Sequence, residues 1–242
     1  MHTSVPFQRV IIVGATSGIG KACARLLAGK GVKIGITGRR KHLLEELSSE
    51  FPDSMIPSAF DATSPDALIH LQELVQKLGG LDLLLFSSGW GQETHVLDET
   101  VELKTIALNV TAFTTIIGWA FRYFAEHGGH IAAISSIAGL RGSRYAPSYG
   151  ASKAYQINYL EGLWCKAKKE HLPVCVTDIR PGFVDTAMAQ GDKVFWSAPP
   201  EKAADQILHA LRRTRKYVYI TKRWSCIAWL VSRLPSWILQ LL

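Results

Sequence analysis

Tyr149 is followed four residues later by Lys153, in Tyr149-Gly-Ala-Ser-Lys153, a spacing that none of the other six tyrosines shares. Residues four apart lie on one face of a helix. An ammonium held beside a phenol favours the phenolate, which moves a tyrosine pKa from about 10 toward neutrality. Such a pair can give or take the proton of a carbonyl/alcohol couple at physiological pH. Thirteen residues before Tyr149, the segment Ile134-Ser135-Ser136-Ile137-Ala138-Gly139 closes an apolar run.

A second cluster suits phosphate. The run Val10–Val13 leads into Gly14-Ala-Thr-Ser-Gly18-Ile-Gly20 and then a helical pattern. Gly14 permits a tight turn, Gly18 lets the backbone approach a pyrophosphate, and Gly20 lets the helix pack close to the strand. The helix start then meets phosphates with free N–H groups and the positive end of its dipole, and Ser17 and Ile19 lie within that loop. The spacing is G-x-x-x-G-x-G rather than the commoner G-x-G-x-x-G. The next strand separates two cofactors. Folds that take NAD place an Asp or Glu at its end for the ribose 2′-hydroxyl. Here it ends Ile36-Thr-Gly38-Arg39-Arg40, and Glu45 is the first acidic residue beyond. A carboxylate repels a 2′-phosphate, whereas a guanidinium binds it bidentately, so NADP(H) is the expected cofactor. The alternative is that Arg39 and Arg40 simply open a solvated helix.

These residues need elements to position them. Short apolar runs alternate with helical patterns: Val10–Val13, then 18–29; Val32–Thr37, then Lys41–Glu50; Met55–Phe60, then a helix with Ser64 as N-cap and Pro65 in its first turn. Leu81–Ser87 precedes a helix over 100–126, and His130–Ser135 precedes one over 148–170. Val174–Ile179, a loop, a helix over 200–214 and Tyr217–Thr221 follow. Continuous apolar strands separated by helices predict a seven-stranded parallel sheet covered on both faces, a single doubly wound Rossmann-type α/β domain. The domain is expected to span 1–222, with a C-terminal helical tail over 223–242.

The glycine loop, Ser136, the Tyr-x-x-x-Lys pair and the Pro181-Gly182 turn, in this order and spacing, resemble the short-chain dehydrogenase/reductase family over about residues 8–221. The resemblance implies that Ser136 polarises a carbonyl oxygen, that Tyr149 transfers the proton, and that Lys153 lowers the tyrosine pKa and binds the nicotinamide ribose. It assigns Asn109 to the helix asparagine that holds a water in the family's proton relay. Asp61 with Ala62 corresponds to the adenine contact, Gly89 to the cofactor edge, and Val184 and Thr186 to positions near the carboxamide. Two positions depart from the pattern. Val13 stands where the family usually has Thr, and Phe86-Ser-Ser-Gly89 where it has Asn-Asn-Ala-Gly. Altered local support, with activity kept, is the expectation. The implied function is hydride transfer between NADP(H) and a carbonyl or secondary alcohol, and homo-oligomers are usual. A cofactor-binding regulator without turnover is the alternative.

Among 242 residues, 48% are apolar and 19% charged, which excludes disorder and leaves a sizeable core. The cysteines Cys23, Cys165, Cys175 and Cys226 show no disulfide or metal spacing, and the eight histidines no metal pairing. His95 lies in the loop on the expected substrate side. The first residues hold no apolar leader, so a cytoplasmic location is expected. The substrate loops, Gly89–Leu97 and Phe183–Ser197 with Met188, Phe195 and Trp196, suggest an apolar or lipid-like substrate.

Seven of the 27 basic residues and none of the 20 acidic ones follow Asp205, so the net charge of +7 resides in the last segment. There Trp224, Ile227, Ala228, Val231 and Leu234 recur at helical spacing, flanked by Trp229 and Leu230. Pro235 breaks the pattern before a second apolar piece, Trp237–Leu242. Neither piece has the roughly 20 residues that span a bilayer. Docking on an anionic membrane surface is the expectation, with packing on a partner subunit as the alternative. Nothing in the segment resembles a base-reading motif, and no nucleic-acid partner is expected.

Overall fold

Runs rich in Ile, Val and Leu pair into one sheet because each strand is shielded on both faces. In the computed structural model, which describes residues 6–186 and 196–235, these are β1 (Arg9–Val13), β2 (Lys33–Gly38), β3 (Met55–Ala59), β4 (Leu83–Phe86), β5 (Gly129–Ile134), β6 (Val174–Pro181) and β7 (Tyr217–Ile220). Their order is β3-β2-β1-β4-β5-β6-β7, and every pairing is parallel. Side chains alternate along each strand. Val10 and Ile12 therefore enter a core beneath α1 (Gly18–Ala28), α2 (Lys41–Ser49) and α7 (Pro200–Arg212). Ile11 and Val13 enter the other, beneath α3 (Ala67–Leu78), α5 (Phe113–His127) and α6 (Pro147–Lys169). The predicted doubly wound fold is thus what the chain adopts.

Two helices differ from expectation. Ser64 does not cap α3. Its hydroxyl bonds the Asp66 carboxylate, Ser64 N–H bonds Asp61 O, and Ala67 N–H bonds Ser64 O, so a turn precedes a helix that starts at Ala67. The helix expected over 100–126 starts earlier, because Asp98 Oδ1 accepts from Thr100 and Val101 N–H. It is also interrupted. After α4 (Glu99–Ile106), residues Ala107–Ala112 form a π-helical turn before α5. By length and composition Glu99–His127 could cross a membrane. Phe113, Ile116, Ile117, Ala120 and Phe124 are nevertheless all buried in the core, as in a central helix of a globular domain.

The expected tail begins as α8 (Trp224–Arg233), and this helix lies on the domain rather than apart from it. Trp224 is 2% exposed and packs on Gly182, where a Cβ would come within 2.2 Å of the indole, and against the Phe183 and Trp196 rings. The guanidinium of Arg141 donates to Val231, Ser232 and Leu234 carbonyls at 3.0, 2.7 and 2.9 Å. Helix ends leave such carbonyls short of backbone partners; here Val231 O also accepts from Leu234 N–H at 3.3 Å. The periodic apolar face meets the protein itself, while Trp229 and Leu230, 60% and 54% exposed, point outward. Met188, Phe195 and the piece Trp237–Leu242 lie outside the described residues.

This packing makes α8 part of the fold. Trp224→Ala is expected to cost about 3–5 kcal/mol in urea unfolding. The exposed Trp229→Ala is expected to stay within about 0.5 kcal/mol of wild type. Equal costs would show that α8 does not dock through Trp224.

Candidate active site

Ligands of open α/β sheets bind beyond the carboxyl ends of the strands, where the strand order reverses. Here that point lies between β1 and β4, and a cleft of about 1230 Å³ opens there. It exceeds the roughly 300–1,000 Å³ of an ordinary small-molecule pocket, room enough for a dinucleotide with a substrate.

At one end lies the glycine loop. Gly14 has φ +93°, and a Cβ there would sit 2.5 Å from Ser88 Oγ. The loops after β1 and β4 can touch because that Cβ is missing. Gly18, φ +54°, lies against Thr186, whose Cγ2 would be 2.9 Å from a Cβ. Gly14, Ser17, Gly18 and Ile19 line the cleft. Gly20 does not. It is buried beneath, where a Cβ would come within 2.0 Å of Gly14 O, so its role is close packing and not ligand contact. The first turn of α1 holds no acidic residue, which leaves its N-terminus favourable to an anion.

Arg39, Arg40, Asp61 and Ala62 border the same end. Arg39 Nη1 lies 3.6 Å from Asp61 Oδ2. Arg40 Nη2 donates to Thr16 Oγ1 at 2.6 Å and Ser17 Oγ at 2.9 Å. Burial acts to raise the Asp61 pKa, but hydrogen bonds from Thr63 and the nearby Arg39 hold it below the usual carboxylate value. Bare loop backbone, a helix start and two guanidiniums together fit a nicotinamide dinucleotide.

At the other end, β5 delivers Ser136 and α6 presents Tyr149 and Lys153. Ser136 Oγ accepts from Ala138 N–H at 3.1 Å, and its hydroxyl lies near enough to the Tyr149 hydroxyl to favour the phenolate. Gly139 presses the short 3₁₀ turn Ile137–Leu140 onto α6, where a Cβ would lie 2.6 Å from Ala154 N. Ser135, the neighbouring serine, instead bonds the Asp178 carboxylate and Ile179 O in the interior. Lys153 is 3% exposed, with its Nζ 5.7 Å from the Tyr149 ring centre. The expected lowering of the tyrosine pKa is not what this structure shows. Burial pushes the phenol above its ordinary value and the Ser136 bond offsets this in part. Lys153 itself is brought down to about 8 by burial, against the attraction of Asp178.

Asn109 does not border the cleft. It is fully buried and acts from behind: Nδ2 donates to Trp90 O at 2.7 Å and Ser152 Oγ at 3.0 Å, and Oδ1 accepts from Trp90 N–H at 3.0 Å. It fixes the loop after β4 against α6. Gly89 lies over Lys153, a Cβ there being 3.3 Å from Nζ. Pro181, Gly182, Val184 and Thr186 line the facing wall. His95 packs on Tyr145 at 4.9 Å and does not line the cleft.

Other residues of the site were not anticipated. Gly91 supports the Tyr149 ring, where a Cβ would be 2.3 Å from Cδ2. Arg141 and Val231 bring α8 to the substrate end. Gln156 bonds Lys153. Only Gln156 had a local signal, as a polar residue on the Tyr149–Lys153 face of a helix. Among the described residues, no group of three His, Cys, Asp or Glu is placed to hold a metal ion.

Comparison with known proteins agrees with this geometry. Residues 8–194 match the short chain dehydrogenase family. An uncharacterized oxidoreductase of Staphylococcus saprophyticus is 31% identical over 215 residues, covering 84% of this chain and 90% of its own length. Dehydrogenase/reductase SDR family member 7B of Bos taurus is 28% identical, over 87% of this chain and 72% of that protein. Among solved structures, a 3-ketoacyl-ACP reductase of Sinorhizobium meliloti superposes with a TM-score of 0.75 at 26% identity, covering 87% of this chain and 96% of that one. A short chain dehydrogenase/reductase of Burkholderia phymatum, in complex with NAD, shares the fold with a TM-score of 0.81 at 17% identity, over 93% and 92%. The chain belongs to the short-chain dehydrogenase family. It is an oxidoreductase of the dehydrogenase/reductase kind, with a nicotinamide cofactor.

Tyr149→Phe keeps the ring against Gly91 and deletes the proton donor. Turnover should fall about 10²–10⁴-fold, with cofactor fluorescence still reporting binding. Near-normal turnover by the folded variant would refute the assignment.

Proposed function

We propose that the protein is an NADP(H)-dependent carbonyl reductase, or the reverse alcohol dehydrogenase, acting on an apolar or lipid-type substrate. The observation that carries this reading is one cleft with two guanidiniums at one end and the Ser136–Tyr149 hydroxyl pair beside Lys153 at the other. A bound nicotinamide supplies or accepts the hydride. Ser136 Oγ donates to the carbonyl oxygen, and the Tyr149 hydroxyl gives its proton to that oxygen in reduction. The Lys153 ammonium stabilises the phenolate left behind, and Arg39 and Arg40 receive a 2′-phosphate. Trp90, Leu108, Phe183 and Val231 give the substrate end its apolar character.

The direct assay follows NADPH absorbance with ketones of increasing chain length. Oxidation that rises with chain length is the expected result. Tight NADPH binding with no turnover on any carbonyl favours the regulator reading. Arg39→Asp should weaken NADPH far more than NADH, because it sets a like charge against the phosphate. Equal weakening of both cofactors would make Arg39 structural.

We also propose that α8 meets an anionic membrane through its outward flank. Trp229 and Leu230 are exposed there, with Lys222, Arg223 and Arg233 on the surface beside them. Removing the whole segment would uncover Gly182 and Phe183, so the fitting variant is Trp229→Glu with Leu230→Glu. The full chain should co-sediment with anionic vesicles at low salt, less at high salt, and the double variant should remain in solution. Negligible binding by both would remove the membrane reading, and a wild-type dimer that the double variant dissociates would point to a partner subunit.

A further inference from the structure

Behind the catalytic pair, one side chain joins two groups that the mechanism above leaves unconnected. The Lys153 ammonium donates to Ile134 O at 2.9 Å and to Gln156 Oε1 at 3.0 Å. Gln156 is fully buried, and its Nε2 donates to the Asn109 carbonyl at 2.9 Å. That carbonyl is available because of the π-helical turn. Phe113 N–H bonds Leu108 O, five residues back, where an α-helix would use Asn109 O. The amide has a single sensible orientation, since a flip would set its NH₂ against the ammonium and its oxygen against the carbonyl.

We propose that Gln156 is a positioning residue of this site: its amide, anchored on the Asn109 carbonyl that the π turn frees, clamps the Lys153 ammonium in place beneath Tyr149. The inference rests on reading Tyr149 and Lys153 as the proton-transfer pair. The other groups that act on Lys153 are few. Tyr149 lies above it on α6. Asp178, on β6, attracts it from a distance, and that carboxylate is already bonded by Ser135 and by Arg180 at 2.5 Å. The Gln156 oxygen is therefore the nearest side-chain dipole that favours the charged lysine over the neutral one. The neutral form is expected to take over when the dipole is deleted, and the charged form to persist when a carboxylate replaces it.

The test uses the full chain labelled with ¹⁵N-lysine, following the Lys153 Nζ resonance against pH, assigned by its loss in Lys153→Met. Gln156→Leu, one bond shorter, removes both polar atoms, and Gln156→Glu keeps an oxygen and adds charge. The leucine variant should titrate lower than wild type by about one unit, and the glutamate variant higher by a similar amount. The alkaline limb of turnover with a ketone should move in the same two directions, which a purely structural role would not produce. Should the leucine variant fail to fold by circular dichroism, Gln156→Met substitutes for it with the same direction. Midpoints that coincide with wild type, or that move the same way in both variants, overturn the clamp. A resonance that moves while the alkaline limb stays fixed supports the clamp and overturns the part of Lys153 in turnover. That outcome separates this proposal from the functional reading on which it rests.

Discussion

A positive charge held out of water beside Tyr149 dictates much of what surrounds it. An unpaired buried ammonium costs several kcal/mol, and among the described residues no carboxylate is hydrogen-bonded to Lys153 to offset that. Neutral dipoles do so instead. The end of β5 offers the Ile134 carbonyl, and Gln156 offers its amide oxygen. Gln156 in turn needs an acceptor for its NH₂, which the broken helix supplies at Asn109. The Asn109 side chain then ties the Trp90 backbone to Ser152. The loop after β4, the irregular turn between α4 and α5, and the start of α6 are thus held in one arrangement by the needs of a single charge.

The parts of the site that could be read from sequence are those that depend on local spacing. Tyr149 and Lys153 share a helix face wherever that helix goes, and a glycine loop between strand and helix has one geometry. The sheet was legible for a similar reason, since seven apolar runs separated by helical patterns leave few other topologies. What escaped depends on partners distant in the chain. The π turn has no spacing signature, and its consequence appears only where Gln156 approaches from α6. Gly20, within the expected cofactor loop, serves the close packing its place there suggests and does not line the cleft, because a Cβ would strike the Gly14 carbonyl. Asn109 reads as a site residue and acts from behind the wall. The tyrosine shift has the opposite sign to the expectation because burial, which spacing does not report, outweighs the offset from Ser136.

The two departures from the family pattern are absorbed locally. Ser87 N–H bonds Val13 O, so the backbone link between β4 and β1 needs no threonine at position 13. Both serines face glycines: Ser88 Oγ would be 2.5 Å from a Cβ on Gly14, and Ser87 Oγ 2.9 Å from one on Gly20. Their short side chains let the loop after β4 lie directly on the phosphate loop.

The C-terminal helix has two sides with different obligations. Its periodic apolar face completes the domain, with Trp224 on Gly182 and its last carbonyls on Arg141, so it could not be turned toward a membrane without uncovering the cofactor wall. Arg141 follows directly on the 3₁₀ turn that carries Ser136, and both Arg141 and Val231 line the cleft. A cation at a helix C-terminus also complements the dipole, which makes the latch favourable even where it is part-exposed. The wall of the substrate end is therefore set by the same helix whose other flank carries exposed Trp229 and Leu230. Any surface that engages that flank contacts an element whose Val231 already lines the cleft beside Phe183.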